Sequence, residues 1–99
     1  MVEYINYKEQ KYPIRIGYYT LKMLQADTGK GIEDAANDIS IYETILYYAL
    51  KQGAKVAEVE FKFTKEDMED VLDECMFEFI SLIPKFFPSG VKADTKKKM

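Results

Sequence analysis

The chain has 99 residues, of which 47% are hydrophobic and 31% charged, a balance typical of one globular domain and too apolar for a disordered chain. Its net charge of −3 argues against a nucleic-acid-binding protein, which needs a concentrated basic face. One cysteine forbids an internal disulfide, and the absence of histidine removes the commonest general base and zinc ligand. We therefore expect an intracellular protein that is not an enzyme and that carries no metal or other cofactor.

Targeting signals are not evident either. The first residues do not combine a basic segment with an apolar stretch, and no apolar run reaches the ~18 residues that a membrane span needs. We expect a soluble protein that does not associate with a membrane.

Residues 2–16 predict a β-hairpin. Apolar residues alternate with polar ones along this segment and share one face: Ile5, Tyr7, Tyr12, Ile14 and Ile16. Residues 8–11 are polar enough for the turn but lack an Asn-Gly pair, so the turn type is open. Pro13 cannot donate a ladder hydrogen bond, which predicts an exposed strand edge there.

A first helix is predicted over residues 18–28, and Gly29 should end it because glycine adopts the left-handed conformation without a clash. The following loop should hold one helical turn at 32–36. Ser40 and Glu43 have the spacing of a capping box and predict a second helix that runs to about Gln52. This helix is apolar over more than half its circumference, which predicts burial against two neighbours.

Residues 57–63 show the clearest two-residue alternation in the chain and predict a third strand, with a continuing helix as the alternative. Thr64 should cap the last helix, with Asp67 in its first turn. Apolar residues with helical spacing follow on one face: Met68, Val71, Leu72, Cys75, Phe79 and Leu82. Pro84 should kink or end this helix.

Together these elements predict an α+β fold that is mostly helical, with an N-terminal hairpin packed on about three helices. Residues 1–87 should form a single globular domain. Residues 88–99 contain a proline, a glycine and four lysines, and predict a flexible basic C-terminal tail.

Three features could suggest chemistry, and each has a simpler interpretation. The acidic run at 66–70 lies on one helix without the spacing of a calcium loop, so a solvated face is favoured over a metal site. Residues 28–31 lack the first glycine and the final Ser or Thr of a phosphate loop. Cys75 lies on an apolar stripe and is expected to be an inert core thiol.

The segment 76–87 is apolar on all sides, more than a domain of this size can easily cover. We therefore predict a contact surface for a partner or for self-association, with Tyr47 as a weaker member. Its residues are Tyr47, Phe79, Ile83, Phe86 and Phe87.

Four segments carry a resemblance to a known family. They are YPIRIGY at 12–18, DTGK at 27–30, IYETILYYALKQG at 41–53 and FTKED at 63–67. In this order they resemble the tail assembly chaperones of long-tailed bacteriophages, over about residues 5–80. The resemblance implies no catalytic residues.

It implies instead a viral protein in the cytoplasm of the infected bacterial host, which coats the apolar tape-measure protein, assists tail-tube assembly and self-associates. The lysine run 96–98 is further expected to mark a ribosomal slippage site that extends the protein. Two alternatives stay open at this point: a structural virion subunit of the tail or connector, and a small cellular adaptor that binds a partner helix.

Overall fold

The computed structural model describes residues 2–87. Strands β1 (Glu3–Tyr7) and β2 (Gln10–Ile14) form an antiparallel hairpin, followed by helices α1 (Tyr18–Thr28), α2 (Ile41–Ala57) and α3 (Asp67–Leu82). Short 3-10 helices occupy Ile32–Ala36 and Ile83–Phe86. The predicted α+β, mostly helical architecture is confirmed. The predicted tail at 88–99 and its lysine run lie outside the described residues.

The hairpin closes through a two-residue loop. Lys8 and Glu9 both have positive φ, at 51° and 66°, which is the signature of a type I′ turn formed without glycine. Pro13 pairs with Tyr4 in the register, and its neighbours Tyr12 and Ile14 pair with Ile5 and Glu3.

Helix α2 passes through Gly53, where we had predicted its end, and continues to Ala57. Gly53 is instead required by close packing. A Cβ atom at this position would lie 2.4 Å from the carbonyl oxygen of Pro13 and 2.6 Å from Cα of Ile14. In the same region the N–H of Arg15 donates to the carbonyl of Ala49 at 3.0 Å, so β2 runs directly against α2.

The predicted third strand at 57–63 does not form, and the sheet within residues 2–87 has two strands. Ala57 is still helical, and Glu58 ends α2 in the left-handed conformation, with φ of 61°. Phe61 and Phe63 then pack by their rings, on Tyr47 at 5.4 Å and on Tyr12 at 5.0 Å between centroids. The two phenylalanines of the alternating segment are therefore partly buried by other aromatic rings, without a backbone ladder.

Besides the end of α2, three helix ends were predicted, and two of them follow the sequence. Gly29 ends α1 with φ of 73° as predicted. The turn before α3 is closed by Thr64 and Asp67, since the N–H of Thr64 donates to the Asp67 carboxylate and the N–H of Asp67 donates to the Thr64 hydroxyl. The capping box at Ser40 and Glu43 is absent, because the Ser40 hydroxyl donates to Asp38 at 2.6 Å instead.

The core lies between the hairpin and the three helices. Its fully buried large side chains come from every α-helix and both strands: Ile5, Ile14, Leu24, Ile41, Ile45, Leu46, Met68, Val71 and Phe79. No helix within residues 2–87 is both long and apolar enough to cross a membrane.

Candidate functional site

Helix α3 is attached to the hairpin along one side. The Glu78 carboxylate accepts hydrogen bonds from the backbone and side-chain N–H groups of Asn6, at 3.1 and 2.9 Å. Glu74 accepts from the N–H of Lys8 at 2.8 Å. These carboxylates satisfy donors on the outer edge of β1, at Asn6, and in the turn that follows it, at Lys8, which would otherwise be unpaired.

The side of α3 that carries Phe77 presents apolar surface. Phe77 has 84% of its surface exposed, the largest fraction among the large hydrophobic side chains in residues 2–87. It follows Glu69 and Asp73 at intervals of four residues, so these three side chains share one stripe of the helix. Cys75, two residues before Phe77, departs from helical geometry with φ of −128° and ψ of 25°, and α3 is kinked there.

A groove of about 420 Å³ runs along this side, and we call it the α3 groove. Its apolar lining consists of Ile39, Leu72, Met76 and Phe77. Its polar lining consists of four carboxylates, on Glu43, Glu69, Asp73 and Glu74. An apolar floor with a charged frame is a common form of protein-binding surface.

Ile39 is held in the groove wall by a fixed turn, although 63% of its surface is exposed. Asp38 accepts from the hydroxyl and the N–H of Ser40, at 2.6 and 3.1 Å, and from Nζ of Lys30 at 3.1 Å. The hydrogen bonds from Ser40 and Lys30 hold the pKa of Asp38 below its usual value. The exposed position of Ile39 is therefore built into the turn.

A second groove, of about 650 Å³, lies where the C-terminal part of α2 meets the segment after it, and we call it the α2 groove. Its walls include Tyr19, Phe61 and the half-exposed side chains of Val56 and Val59. Its charged groups are Lys51 and Lys55. The two grooves thus have charges of opposite sign.

A polar cluster ties the segment before α3 to α1 and α2. The Tyr48 hydroxyl and Nζ of Lys65 each donate to the same Asp27 oxygen at 2.7 Å. The hydrogen bond from Lys65, followed by that from Tyr48, lowers the pKa of Asp27, while burial and the bond to Asp27 raise the pKa of Tyr48. The proton therefore stays on Tyr48, and the cluster acts as a clamp.

Cys75 is buried, and burial raises the pKa of its thiol to about 11. A thiol in this state is a poor nucleophile at neutral pH. Among residues 2–87 there is no group of three or more acidic or cysteine side chains arranged to hold a metal ion.

The five residues predicted to bind a partner have different surroundings. Phe79 has no exposed surface and belongs to the core, so it offers nothing to a partner in this conformation. Ile83, Phe86 and Phe87 are half-buried against the core after the end of α3. Tyr47 lies in a row of aromatic rings between Tyr48 and Phe61, with Nζ of Lys65 5.6 Å from its ring centre. A binding role for the four partly exposed residues stays a prediction.

Ile39 and Phe77, which line the α3 groove, were missed as site residues. The repeat of Glu69, Asp73 and Phe77 at four-residue spacing could have identified Phe77, since it places this ring in a charged stripe. Ile39 gave no such signal, because its exposure depends on the turn at Asp38.

Comparison of this chain with models of protein families, with curated proteins and with solved structures finds no match to any of them.

Proposed function

We propose that this protein is a non-catalytic chaperone that binds an apolar segment of another protein in the α3 groove. The observation that carries the proposal is the exposure of Phe77, at 84%, on a well-packed helix. Burying a side chain of this kind is favourable by about 1.5–3 kcal/mol of free energy. The isolated chain lacks this stabilisation because Phe77 faces solvent. A partner that covers Phe77 and Ile39 together would recover this free energy.

The geometry around the groove supports the same function. Glu74 and Glu78 of α3 are hydrogen-bonded to the hairpin, and Ile39 is fixed by its turn, so the apolar floor is preorganised. Preorganised surfaces bind more tightly because less conformational entropy is lost on association.

The resemblance to phage tail assembly chaperones supplies the identity of the partner in this proposal: the tape-measure or tail-tube protein, in the cytoplasm of the infected host. The competing structural role differs in one measurable respect. A virion subunit is present in stoichiometric amount in purified particles, whereas a chaperone is absent from them, so mass spectrometry of particles separates the two.

The binding claim is tested by co-expression with a tape-measure protein encoded beside this chain. We expect the wild-type chain to keep that protein soluble and to co-purify with it, and Phe77→Ser to lose both effects. Tyr18→Ser is the matched control, because Tyr18 is 79% exposed on α1 and lies outside the α3 groove. Equal co-purification of both variants would contradict the proposal.

A further inference from the structure

The charged frame of the α3 groove has one sign. Four carboxylates contribute to it, one from α2 and three from α3, and no lysine or arginine of the described chain is among its lining residues. Glu69 and Asp73 are exposed and stand one helical turn apart on the stripe that leads to Phe77.

This sign is a local property rather than a reflection of the acidic composition. The α2 groove is equally apolar in character, yet its charged lining residues are Lys51 and Lys55. A protein with a net charge of −3 therefore has one apolar groove with an acidic frame and another with a basic frame.

We infer that the α3 groove takes a basic amphipathic helix of a partner protein, whose apolar face covers Ile39 and Phe77 and whose flanking lysines or arginines face Glu43, Glu69 and Asp73. This inference rests on the proposed function and names the chemistry of the segment that is bound. Amphipathic helices dock in apolar grooves through anchors spaced three and four residues apart. Opposite charges at the rim add selectivity and speed association.

A second copy of this chain is a less suitable occupant through its α2 groove. That groove is itself concave, and two concave surfaces leave a gap where a helix would fill the space. The basic groups of Lys51 and Lys55 also line that concavity instead of flanking an exposed apolar ridge. Self-association through these two grooves is therefore an outcome that the experiment must be able to detect.

The probe is a synthetic amphipathic helix of about 18 residues, long enough to be helical, with leucines on one face and lysines on the other. Its partner probe has the same leucines and glutamates in place of the lysines. By fluorescence anisotropy at low salt, we expect the lysine peptide to bind wild-type protein at least about tenfold more tightly than the glutamate peptide. This preference should shrink as salt is added, because the charges at the rim are exposed to solvent.

Two variants with the same change in net charge separate the effect of charge in the α3 groove from the effect of the protein's overall charge on peptide affinity. Asp73→Lys changes the frame, and we expect it to weaken the lysine peptide about tenfold. Glu60→Lys changes an exposed residue outside the α3 groove, and we expect nearly unchanged affinity. Circular dichroism checks that both variants keep the helical content of the wild type.

Three results would overturn the inference: no binding of the lysine peptide, equal binding of the two peptides, or equal effects of Asp73→Lys and Glu60→Lys. A concentration-dependent oligomer in sedimentation velocity that both Asp73→Lys and Lys55→Glu abolish would also overturn it, because it identifies a second copy as the occupant.

Phe77→Ser distinguishes a failure of this inference from a failure of the proposed function. If it weakens both peptides while charge has no effect, the proposed function stands and this inference fails. If it weakens neither, both fail.

Discussion

Phe77 and Phe79 are two positions apart on α3, and their environments are opposite. Phe79 has no exposed surface, whereas Phe77 has 84% of its surface exposed. Two positions on a helix correspond to a rotation of about 200°, so the two rings point to opposite sides. The side with Phe79 is the core side, and the side with Phe77 carries Glu69 and Asp73.

The comparison shows that an apolar residue on a helix has to be interpreted together with its neighbours one turn away. Phe79 follows Cys75 and Leu72 on an apolar stripe, while Phe77 follows Asp73 on an acidic stripe. The apolar stripe identifies the core, and a single large ring on an acidic stripe identifies a surface that a second molecule can cover.

The largest expected effect comes from the two phenylalanines themselves. Phe79→Ala should lower the free energy of unfolding by about 3–5 kcal/mol, since it leaves a cavity in the core. Phe77→Ala should change it by less than about 0.5 kcal/mol, as substitutions at exposed sites usually do. Urea denaturation measures both, and similar losses would mean that the two sides of α3 have been confused.

A second prediction concerns Gly53, where α2 contacts β2. Gly→Ala in a helix interior normally stabilises a protein by about 0.5–1 kcal/mol. Gly53→Ala should instead destabilise by about 1–3 kcal/mol, because the added methyl group would overlap the Pro13 carbonyl and force α2 away from β2. Lys51→Ala, on the exposed side of α2, is the control and should have little effect. A stabilising Gly53→Ala would show that the close approach is wrong.

Substitutions in the turn of the hairpin should have a smaller effect, and they should stabilise the protein. Lys8 and Glu9 both occupy the positive-φ region that suits asparagine and glycine. The pair Lys8→Asn and Glu9→Gly should raise the free energy of unfolding by roughly 0.5–1 kcal/mol. Thermal denaturation followed by circular dichroism checks it. The same two substitution types outside the hairpin, Lys62→Asn with Glu60→Gly, should not raise the free energy of unfolding.

The smallest effect is a pH dependence of the clamp at Asp27. Because the pKa of Asp27 is lowered in the folded protein, its contribution to stability is present above the unfolded value near 3.8 and is lost as pH falls through the lower folded value. Asp27 and Lys65 are partly exposed, so solvent limits the contribution to within about 1 kcal/mol.

Asp27→Asn should therefore lower stability at neutral pH and converge with the wild type in acid, as measured by urea denaturation at several pH values. Asp73→Asn is the control on the outer side of α3, and no described residue holds its carboxylate in an ion pair. A neutral-pH loss of the same size in both variants would argue against the clamp.

Local patterns in the sequence predict much of this fold. Alternation predicted the hairpin, a glycine predicted the end of α1, and the apolar stripe predicted the core side of α3. The errors arose where tertiary contacts override local signals. Gly53 looked like a helix stop, but the contact with Pro13 that explains it is forty residues away in sequence. Residues 57–63 alternate like a strand, but Phe61 and Phe63 pack on aromatic side chains of α2 and the hairpin and are only partly buried, without a backbone ladder.

The candidate surface was harder to predict. An excess of apolar residues after Met76 indicated a contact segment that included Phe79, although the apolar stripe of α3 already placed Phe79 on the core side, where the structure has it fully buried. The α3 groove combines residues from a turn, α2 and α3, and only the fold brings Ile39 near the acidic stripe. The acidic stripe of α3 is visible in the sequence, but its place beside Ile39 and Glu43 is not.

The most direct test of the account is a photo-crosslink from position 77 in cells that express this chain with its neighbouring genes. The photoreactive residue p-benzoylphenylalanine replaces Phe77 in one strain and Tyr18 in another. The account predicts that position 77 crosslinks to a different protein and that position 18 does not give this product. Mass spectrometry should find the crosslink in an apolar segment of that protein that is flanked by lysines or arginines. Crosslinks from position 77 only to another copy of the chain, or the same products from both positions, would contradict it.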